Sequence, residues 1–155
     1  MRMSKGVEWA LHTLLNLHIA GGGPVGNGQL AEAHGLPSAY LNKQLQQLVR
    51  AGLLTSTPGV RGGFQLAKAI EQITLLDVVE AIEGDVRLFQ CTEIRCCGRI
   101  GEIAPAPTEP CPVKVAMVRA EDAWRQALAA QTLADVQAEL ERRPEVTDAV
   151  RASIT

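Results

Sequence analysis

The stretch QLAEAHGLPSAYLNKQLQQLVRAGLL, residues 29–54, limits the folds open to this chain more than any other segment. Its first part follows Asn27, an acceptable N-cap, and predicts a short helix over 29–34 that Gly35 ends. Its second part predicts a helix that begins near Pro37 and Ser38 and runs to Arg50. Two helices joined by a tight glycine turn are typical of a helix-turn-helix.

A glycine-rich hairpin is expected directly after these helices. The runs LLTSTPG and FQL predict two short strands, and VRGG joins them. Glycines at positions 59, 62 and 63 allow a tight turn whose tip presents Arg61. A hairpin in this place is a wing that can reach a DNA minor groove. The expected fold class is therefore mainly α, a winged helix-turn-helix with a small β-hairpin wing.

Further helices are predicted on both sides of this module. One runs from about Ser4 to Ile19, and another follows Thr74 as N-cap and stops at Gly84. A long helix follows the cysteine-rich segment and continues to about Gln131. A further helix is predicted with Thr132 as its cap, and it is expected to carry two arginines in its final turn, Arg142 and Arg143.

These patterns divide the chain into four regions. They are a winged helix-turn-helix DNA-binding domain over 1–84, a loop over 85–112, a dimerisation helix with a C-terminal helix over 113–143, and a tail over 144–155.

The charges are unevenly distributed along the chain. The net charge is −2, yet residues 33–70 contain four basic residues and no Asp or Glu, which leaves 11 basic and 17 acidic residues elsewhere. A basic face on an acidic body favours contact with DNA phosphates. The side chains expected to meet DNA are Ser38, Tyr40, Lys43, Gln47, Arg50 and Arg61.

The long helix after the cysteine-rich segment has an apolar stripe that contains several alanines. Its members are Val113, Ala116, Met117, Ala120, Ala123, Trp124, Ala127 and Leu128. An ordinary core helix would look similar, but a lone winged module has little left to cover such a stripe. We therefore expect a homodimer that presents two recognition helices to a palindromic operator in double-stranded DNA, with half-sites about 34 Å apart or a multiple of that distance.

Every cysteine of the chain lies in one segment rich in glycine and proline: Cys91, Cys96, Cys97 and Cys111. No stretch reaches 18 uninterrupted apolar residues, so we expect a cytoplasmic protein without a membrane partner. In a reducing cytosol, clustered cysteines are more often metal-binding or redox-active than structural disulfides. Zinc held by the cysteines alone would need closer pairs than this spacing provides.

Taken together, these segments resemble the iron-sulfur winged-helix regulators that include IscR and NsrR, and most closely the RsrR type. The resemblance rests on GVEWALH, on YLNKQLQQLVRAGLLTS with the wing GVRGGF, on ITLLDVVEAIEG, and on CTEI paired with CPVKVAM. It extends from Met1 to about Asp135. The family implies a homodimer that binds palindromic operators and holds a cluster between the winged module and the dimer helix.

The resemblance also implies a set of cluster ligands. In the RsrR type, two cysteines at the ends of the loop bind one iron of a [2Fe-2S] cluster, and a Glu and a His of the first helix bind the other. Those positions are Cys91, Cys111, Glu8 and His12 in this chain. The Cys-x5-Cys-x5-Cys spacing of the IscR and NsrR types is absent, because position 103 is isoleucine.

Local chemistry is consistent with these four residues. Glu8 and His12 are four residues apart on one stripe of a predicted helix, and burying both among apolar neighbours would be costly without a partner. They could also form a plain surface pair. Cys111 precedes Pro112, a good first helical residue, so the helix dipole would favour its thiolate.

Several alternatives stay open. Nothing in the chain places a nucleophile beside its base, so we expect no enzyme. A [4Fe-4S] nitric-oxide sensor could use Cys91, Cys97 and Cys111, and a metal-free thiol switch could use Cys96 and Cys97, which are otherwise bystanders. A winged-helix module that binds protein rather than DNA is the remaining possibility.

Overall fold

A computed structural model of the chain describes residues 3–85 and 87–154. Its elements, in chain order, are helices α1 Lys5–Ile19, α2 Asn27–His34 and α3 Ser38–Arg50, strands β1 Leu54–Thr57 and β2 Gly63–Leu66, and helices α4 Leu75–Glu83, α5 Gly98–Ile103, α6 Pro112–Ala129, α7 Leu133–Leu140 and α8 Pro144–Ile154. These elements form two compact units, one built from residues up to 85 and from 128 onward, and the other from 87–127. We call them the winged unit and the cysteine unit. The fold class predicted from the sequence is confirmed, mainly helical with one antiparallel hairpin.

The core of the winged unit is made of leucines from the helix-turn-helix and of apolar residues from its neighbours. Its most fully buried side chains are Leu14, Leu30, Leu41, Leu45, Leu48, Leu53, Leu54, Ile73, Val78 and Leu133. Helix α1 comes very close to α3 and α4 at Gly6, where an added Cβ would lie 2.9 Å from Gln44 Oε1 and 3.0 Å from Ile82 Cγ2. The small residue therefore allows α1 to sit against the recognition helix.

The turn of the helix-turn-helix is formed as the sequence predicts. Gly35 ends α2 in the left-handed conformation, with φ of 61°, and Leu36 N–H donates to the Ala31 carbonyl over 2.8 Å. The expected N-cap at Asn27 is wrong by one residue, since Gly26 holds that position and Asn27 begins the helix. Its side chain instead donates to the Ser38 carbonyl over 3.0 Å, which links the two helices across the turn.

The wing is a two-stranded hairpin in which Leu54 pairs with Leu66 and Thr57 with Gly63. Gly63 lies against the backbone of Val25, where an added Cβ would approach the Val25 carbonyl oxygen to 2.3 Å. Phe64 and Val25 exchange backbone hydrogen bonds of 2.9 Å in both directions, so the chain before α2 extends the hairpin by one bridge.

Two helix N-termini of the winged unit are capped in the same way and lie side by side. Thr74 and Thr132 each accept a hydrogen bond from the backbone N–H of the aspartate three residues later, and that aspartate's carboxylate accepts one from the threonine N–H. An antiparallel bridge joins the two caps, with Leu75 N–H donating to Gln131 and Leu133 N–H to Ile73, each over 2.9 Å.

The C-terminal part differs from the sequence prediction in two respects. Helix α7 ends at Leu140, so Arg142 and Arg143 lie in the turn after it rather than in its last turn. Residues 144–155, expected to be a tail, contain helix α8, because Pro144 can start a new helix directly after the turn. Ile154 is only 4% exposed and belongs to the core.

The cysteine unit has almost no interior of its own. Among its described residues, only Cys111 and Glu121 are buried. A 3-10 turn over Ile94–Cys96 and the short α5 interrupt the predicted loop, and α6 begins at Pro112 as predicted but ends at Ala129.

Candidate metal and nucleic-acid sites

The outer cysteines of the cysteine unit come together in space. Ligand atoms of Cys91, Cys111 and Glu93 all lie within 4.8 Å of one another. Cys111 is buried, and the other two residues are half-buried. Both thiols are among the ligands predicted from the family resemblance, but Glu93 is not, and its place in the Cys-Thr-Glu run was the only available signal. Within the part of the chain that the structure describes, this is the one such grouping of three or more ligating residues.

The thiol of Cys111 lies in an environment that favours its ionised form. Hydrogen bonds from the backbone N–H of Lys114 and of Val113, at the start of α6, lower the pKa of Cys111, and the positive charge of Arg95 lowers it further. Burial and the negative charge of Glu93 act in the opposite direction, but the net pKa shift is downward. The predicted effect of the helix N-terminus on this thiol is thus present in the structure.

Arg95 connects the two ends of the segment that carries the thiols. Its Nε donates to Glu93 Oε1 over 2.6 Å, and its terminal nitrogen donates to the Glu109 carbonyl over 3.2 Å. Glu93 is two residues after Cys91, and Glu109 is two residues before Cys111. The hydrogen bond from Arg95 lowers the pKa of Glu93 and raises that of Arg95 itself, so both groups stay charged.

The inner cysteines occupy a different environment. Cys96 and Cys97 are exposed, and all four cysteines are free thiols. Neither belongs to the grouping around Cys111. Their exposure leaves them accessible to oxidants.

The other two predicted ligands, Glu8 and His12, lie on α1 in the winged unit. Both are exposed, so the expected cost of burying them does not arise in the single chain. They line an open groove with Met3, Lys5, Val7 and Leu11. Exposure follows from their position on α1, whose buried face is formed by residues such as Val7, Ala10 and Leu14.

An aromatic contact joins this part of α1 to the recognition helix. The rings of Trp9 and Tyr40 meet edge to face, with centroids 4.9 Å apart and planes inclined by 78°. Trp9 follows Glu8 directly in sequence, and Tyr40 is one of the residues predicted to meet DNA.

A second link between α1 and the helix-turn-helix was not predicted. Asn16 Nδ2 and His34 Nε2 lie 2.9 Å apart, which joins α1 to the last turn of α2. Partial burial lowers the pKa of His34, and the charge of His12 adds to the effect. No local pattern in the sequence indicated this contact, because Asn16 and His34 belong to different helices.

Most residues predicted to meet DNA are exposed on the winged unit. They are Ser38, Tyr40, Lys43, Arg50 and, at the tip of the wing, Arg61. Gln47 differs, because it is half-buried and its amide donates to the Ile82 carbonyl over 3.3 Å. The helical pattern placed it on the outer face, but α4 covers that edge of α3.

No helix among the described residues is long and apolar enough to cross a membrane. Several solved structures share the fold. CymR of Bacillus subtilis, described as the global cysteine regulator, superposes with a TM-score of 0.69 at 24% identity over 90% of this chain and 98% of its own. The oxidized form of Staphylococcus aureus CymR gives a TM-score of 0.64 at 26% identity, over 88% of this chain and 96% of its own. IscR of T. potens gives a TM-score of 0.65 at 23% identity, over 92% of this chain and 90% of its own.

Sequence relatives extend over most of the chain. YwgB of Bacillus subtilis, named as a helix-turn-helix-type transcriptional regulator, is 33% identical over 88% of this chain and 84% of its own length. Protein aau3 of Rhizobium meliloti is 30% identical over 94% of this chain and 89% of its own length. Residues 3–139 match the family described as Rrf2, iron-dependent transcriptional regulator. The chain therefore belongs to the Rrf2 family of transcriptional regulators.

Proposed function

We propose that this protein is a dimeric DNA-binding regulator whose operator affinity depends on a [2Fe-2S] cluster held by Cys91, Cys111, Glu8 and His12. The observation that carries the proposal is the convergence of Cys91 and Cys111 in a chain of a family described as iron-dependent. In this proposal residues 1–84 bind DNA, 85–112 carry the thiols, and α6 provides the dimer contact.

The winged unit supports binding to double-stranded DNA. Residues 33–70 are basic without a single acidic residue, and they include the recognition helix α3 and the wing. Lys43, Arg50 and Arg61 are exposed, so they can reach phosphates or base edges without rearrangement. The polar tip of the recognition helix at Ser38 and Tyr40 is exposed as well.

Exposed apolar surface on the cysteine unit supports a homodimer. On α6, Val113 is 60% exposed and Met117 is 43% exposed, and Ala120 on the same stripe is exposed too. Ile94, Ile100 and Ile103 are also exposed, in a unit with almost no buried residues. Apolar surface of this kind is typical of an interface between subunits, and small side chains on α6 allow a second helix to pack closely.

The thiol pair fits an iron centre. Two sulfur ligands about 2.3 Å from one tetrahedral metal are roughly 3.8 Å apart, within the 4.8 Å limit observed for Cys91 and Cys111. The lowered pKa of Cys111 favours the thiolate that ligation needs. Glu8 and His12 are exposed at helical spacing and can serve as the remaining pair. When bound, the cluster would supply a charge that changes with its redox state.

Contacts of α1 offer a route from the ligands to DNA. Gly6 lies against Gln44 of the recognition helix, and Trp9 packs on Tyr40. A change in charge at Glu8 and His12 that shifts α1 would therefore also displace α3. Operator affinity would respond to the state of the ligands through these contacts.

The visible absorption spectrum of the anaerobically purified protein tests the cluster. We expect a [2Fe-2S] spectrum in the wild type, colourless protein in Cys91→Ser and Cys111→Ser, and a nearly unchanged spectrum when Cys96 and Cys97 are both replaced by serine. Loss of colour in the double variant would instead favour a centre that includes Cys97. A [4Fe-4S] centre of the nitric-oxide type would differ in the shape of the spectrum.

Gel shifts on duplex DNA test the regulator itself. We expect retention that weakens with salt and that differs between protein with and without its cluster. A protein that shows no retention at any salt concentration would instead be a protein-interaction module.

A metal-free thiol switch is the second candidate function. It is favoured by the exposure of the adjacent Cys96 and Cys97, and a relative at 26% identity, CymR of Staphylococcus aureus, has been solved in an oxidized form. In that case DNA binding by metal-free protein should change with a thiol oxidant, and serine at positions 96 and 97 should remove the response.

A further inference from the structure

Three acidic side chains of the cysteine unit share a small space. Cys91 Sγ, Cys111 Sγ and a carboxylate oxygen of Glu93 lie within 4.8 Å of one another, and Cys111 is buried. Arg95 is hydrogen-bonded to the carboxylate of Glu93. Cysteine sulfur and glutamate oxygen are ligand atoms that divalent metals accept, so three of them within this distance favour a bound cation.

We propose that Cys91, Glu93 and Cys111 bind a zinc ion in protein that carries no cluster. Zinc accepts cysteine sulfur and glutamate oxygen in tetrahedral sites, and three protein ligands leave one position for water. The site shares two cysteines with the proposed cluster but uses neither Glu8 nor His12, so zinc and cluster compete for the thiols.

The local backbone and Arg95 hold Glu93 in place for this role. Glu93 has φ of 52°, a left-handed conformation, and its carbonyl accepts a 2.9 Å hydrogen bond from Cys96 N–H as the 3-10 turn begins. Arg95 Nε binds Oε1 of the carboxylate, which leaves Oε2 for a metal. Carboxylates that ligate metals are commonly fixed by such a hydrogen bond.

The test uses the full-length, reduced, cluster-free protein. Zinc is titrated in competition with a chromophoric chelator, and cobalt(II) is added separately because its thiolate charge-transfer absorption reports sulfur ligation. We expect one ion per chain, no binding in Cys91→Ser or Cys111→Ser, and at least about tenfold weaker binding in Glu93→Gln. Glu102→Gln is the matched control, since Glu102 is an exposed acid of the same unit, and its affinity should equal that of the wild type.

Three results would overturn the proposal: no zinc binding by the wild type, equal affinity in Glu93→Gln and the wild type, or loss of binding when Cys96 and Cys97 become serine. Glu93→Asp keeps the carboxylate, so it should bind more tightly than Glu93→Gln, and circular dichroism shows that each variant is folded. Failure of the cluster proposal can be distinguished from failure of the zinc proposal, because Glu93→Gln should still acquire colour on anaerobic reconstitution. A wild type that binds zinc but never becomes coloured would contradict only the cluster.

Discussion

At the scale of single residues, Cys111 illustrates how a helix start prepares a thiol for chemistry. The N–H groups of Lys114 and Val113 point to its sulfur, and Arg95 adds a positive charge. These groups favour the anion, so the folded pKa of Cys111 lies below the ordinary pKa of a thiol. Ionisation of this thiol therefore stabilises the folded chain above the unfolded pKa, and that stabilisation is lost as pH falls through the folded pKa.

The pH dependence of alkylation measures this pKa. In metal-free protein with serine at 91, 96 and 97, the rate at Cys111 should rise with pH around a midpoint below the ordinary pKa of a thiol, because only the thiolate reacts. Adding Arg95→Gln should move the midpoint upward. Arg99→Gln removes a charge from α5 of the same unit and should leave it unchanged; an equal shift in both variants would contradict a specific role for Arg95.

At this scale the thiols were predictable from the sequence as ligands, but the residues around them were not. The position of Cys111 at a helix N-terminus was predictable, because Pro112 indicates that a helix starts directly after it. Glu93 and Arg95 were not, because their places depend on a left-handed backbone at Glu93 that no residue preference indicates. His34 was missed for a related reason, since its partner Asn16 belongs to a different helix.

At the scale of elements, the wing can be tested by itself. Arg61 is exposed at its tip, so Arg61→Ala should weaken operator binding by about 1 to 3 kcal/mol and reduce the salt slope by about 0.9. Gel shifts across a salt series measure both quantities. Arg143→Ala removes an exposed charge outside the basic segment and should change neither; an identical loss in both variants would mean that net charge, rather than the wing, is responsible.

Elements were predictable where a local rule decided them. Gly35, Gly84 and the two threonine caps made four ends of three helices predictable, since caps and stops act within a few residues. The burial of Gln47 was not predictable, because it depends on where α4 crosses α3. Helix α8 was not predicted from its 11-residue sequence, and its packing against the core of the winged unit is seen only in the structure.

At the scale of the whole molecule, the proposed dimer predicts a change in mass. Ala120→Glu places a charge on the exposed apolar stripe of α6, so it should shift the protein toward monomer and weaken operator binding. Light scattering coupled to size exclusion measures the mass. Gln126→Glu adds the same charge at another exposed position of α6 and serves as the control; a wild type that is already monomeric would rule out the dimer.

Packing of the C-terminal helix predicts a loss of stability. Ile154 is 4% exposed and lies in the core of the winged unit, so Ile154→Ala should lower the free energy of unfolding by at least about 2 kcal/mol. Urea titration monitored by circular dichroism measures it. Val146→Ala, in the same helix but 40% exposed, should stay within about 0.5 kcal/mol of the wild type. Equal losses would indicate that helix propensity, and not burial, sets the effect.

The same packing has a consequence for biosynthesis. The core joins Leu14, near the beginning of the chain, to Ile154, which the ribosome adds only after more than a hundred further residues. The nascent winged unit therefore cannot complete its interior while α8 is still inside the exit tunnel. During that interval its leucines remain exposed to chaperones and to neighbouring chains, and the core is expected to close only once α8 has left the tunnel.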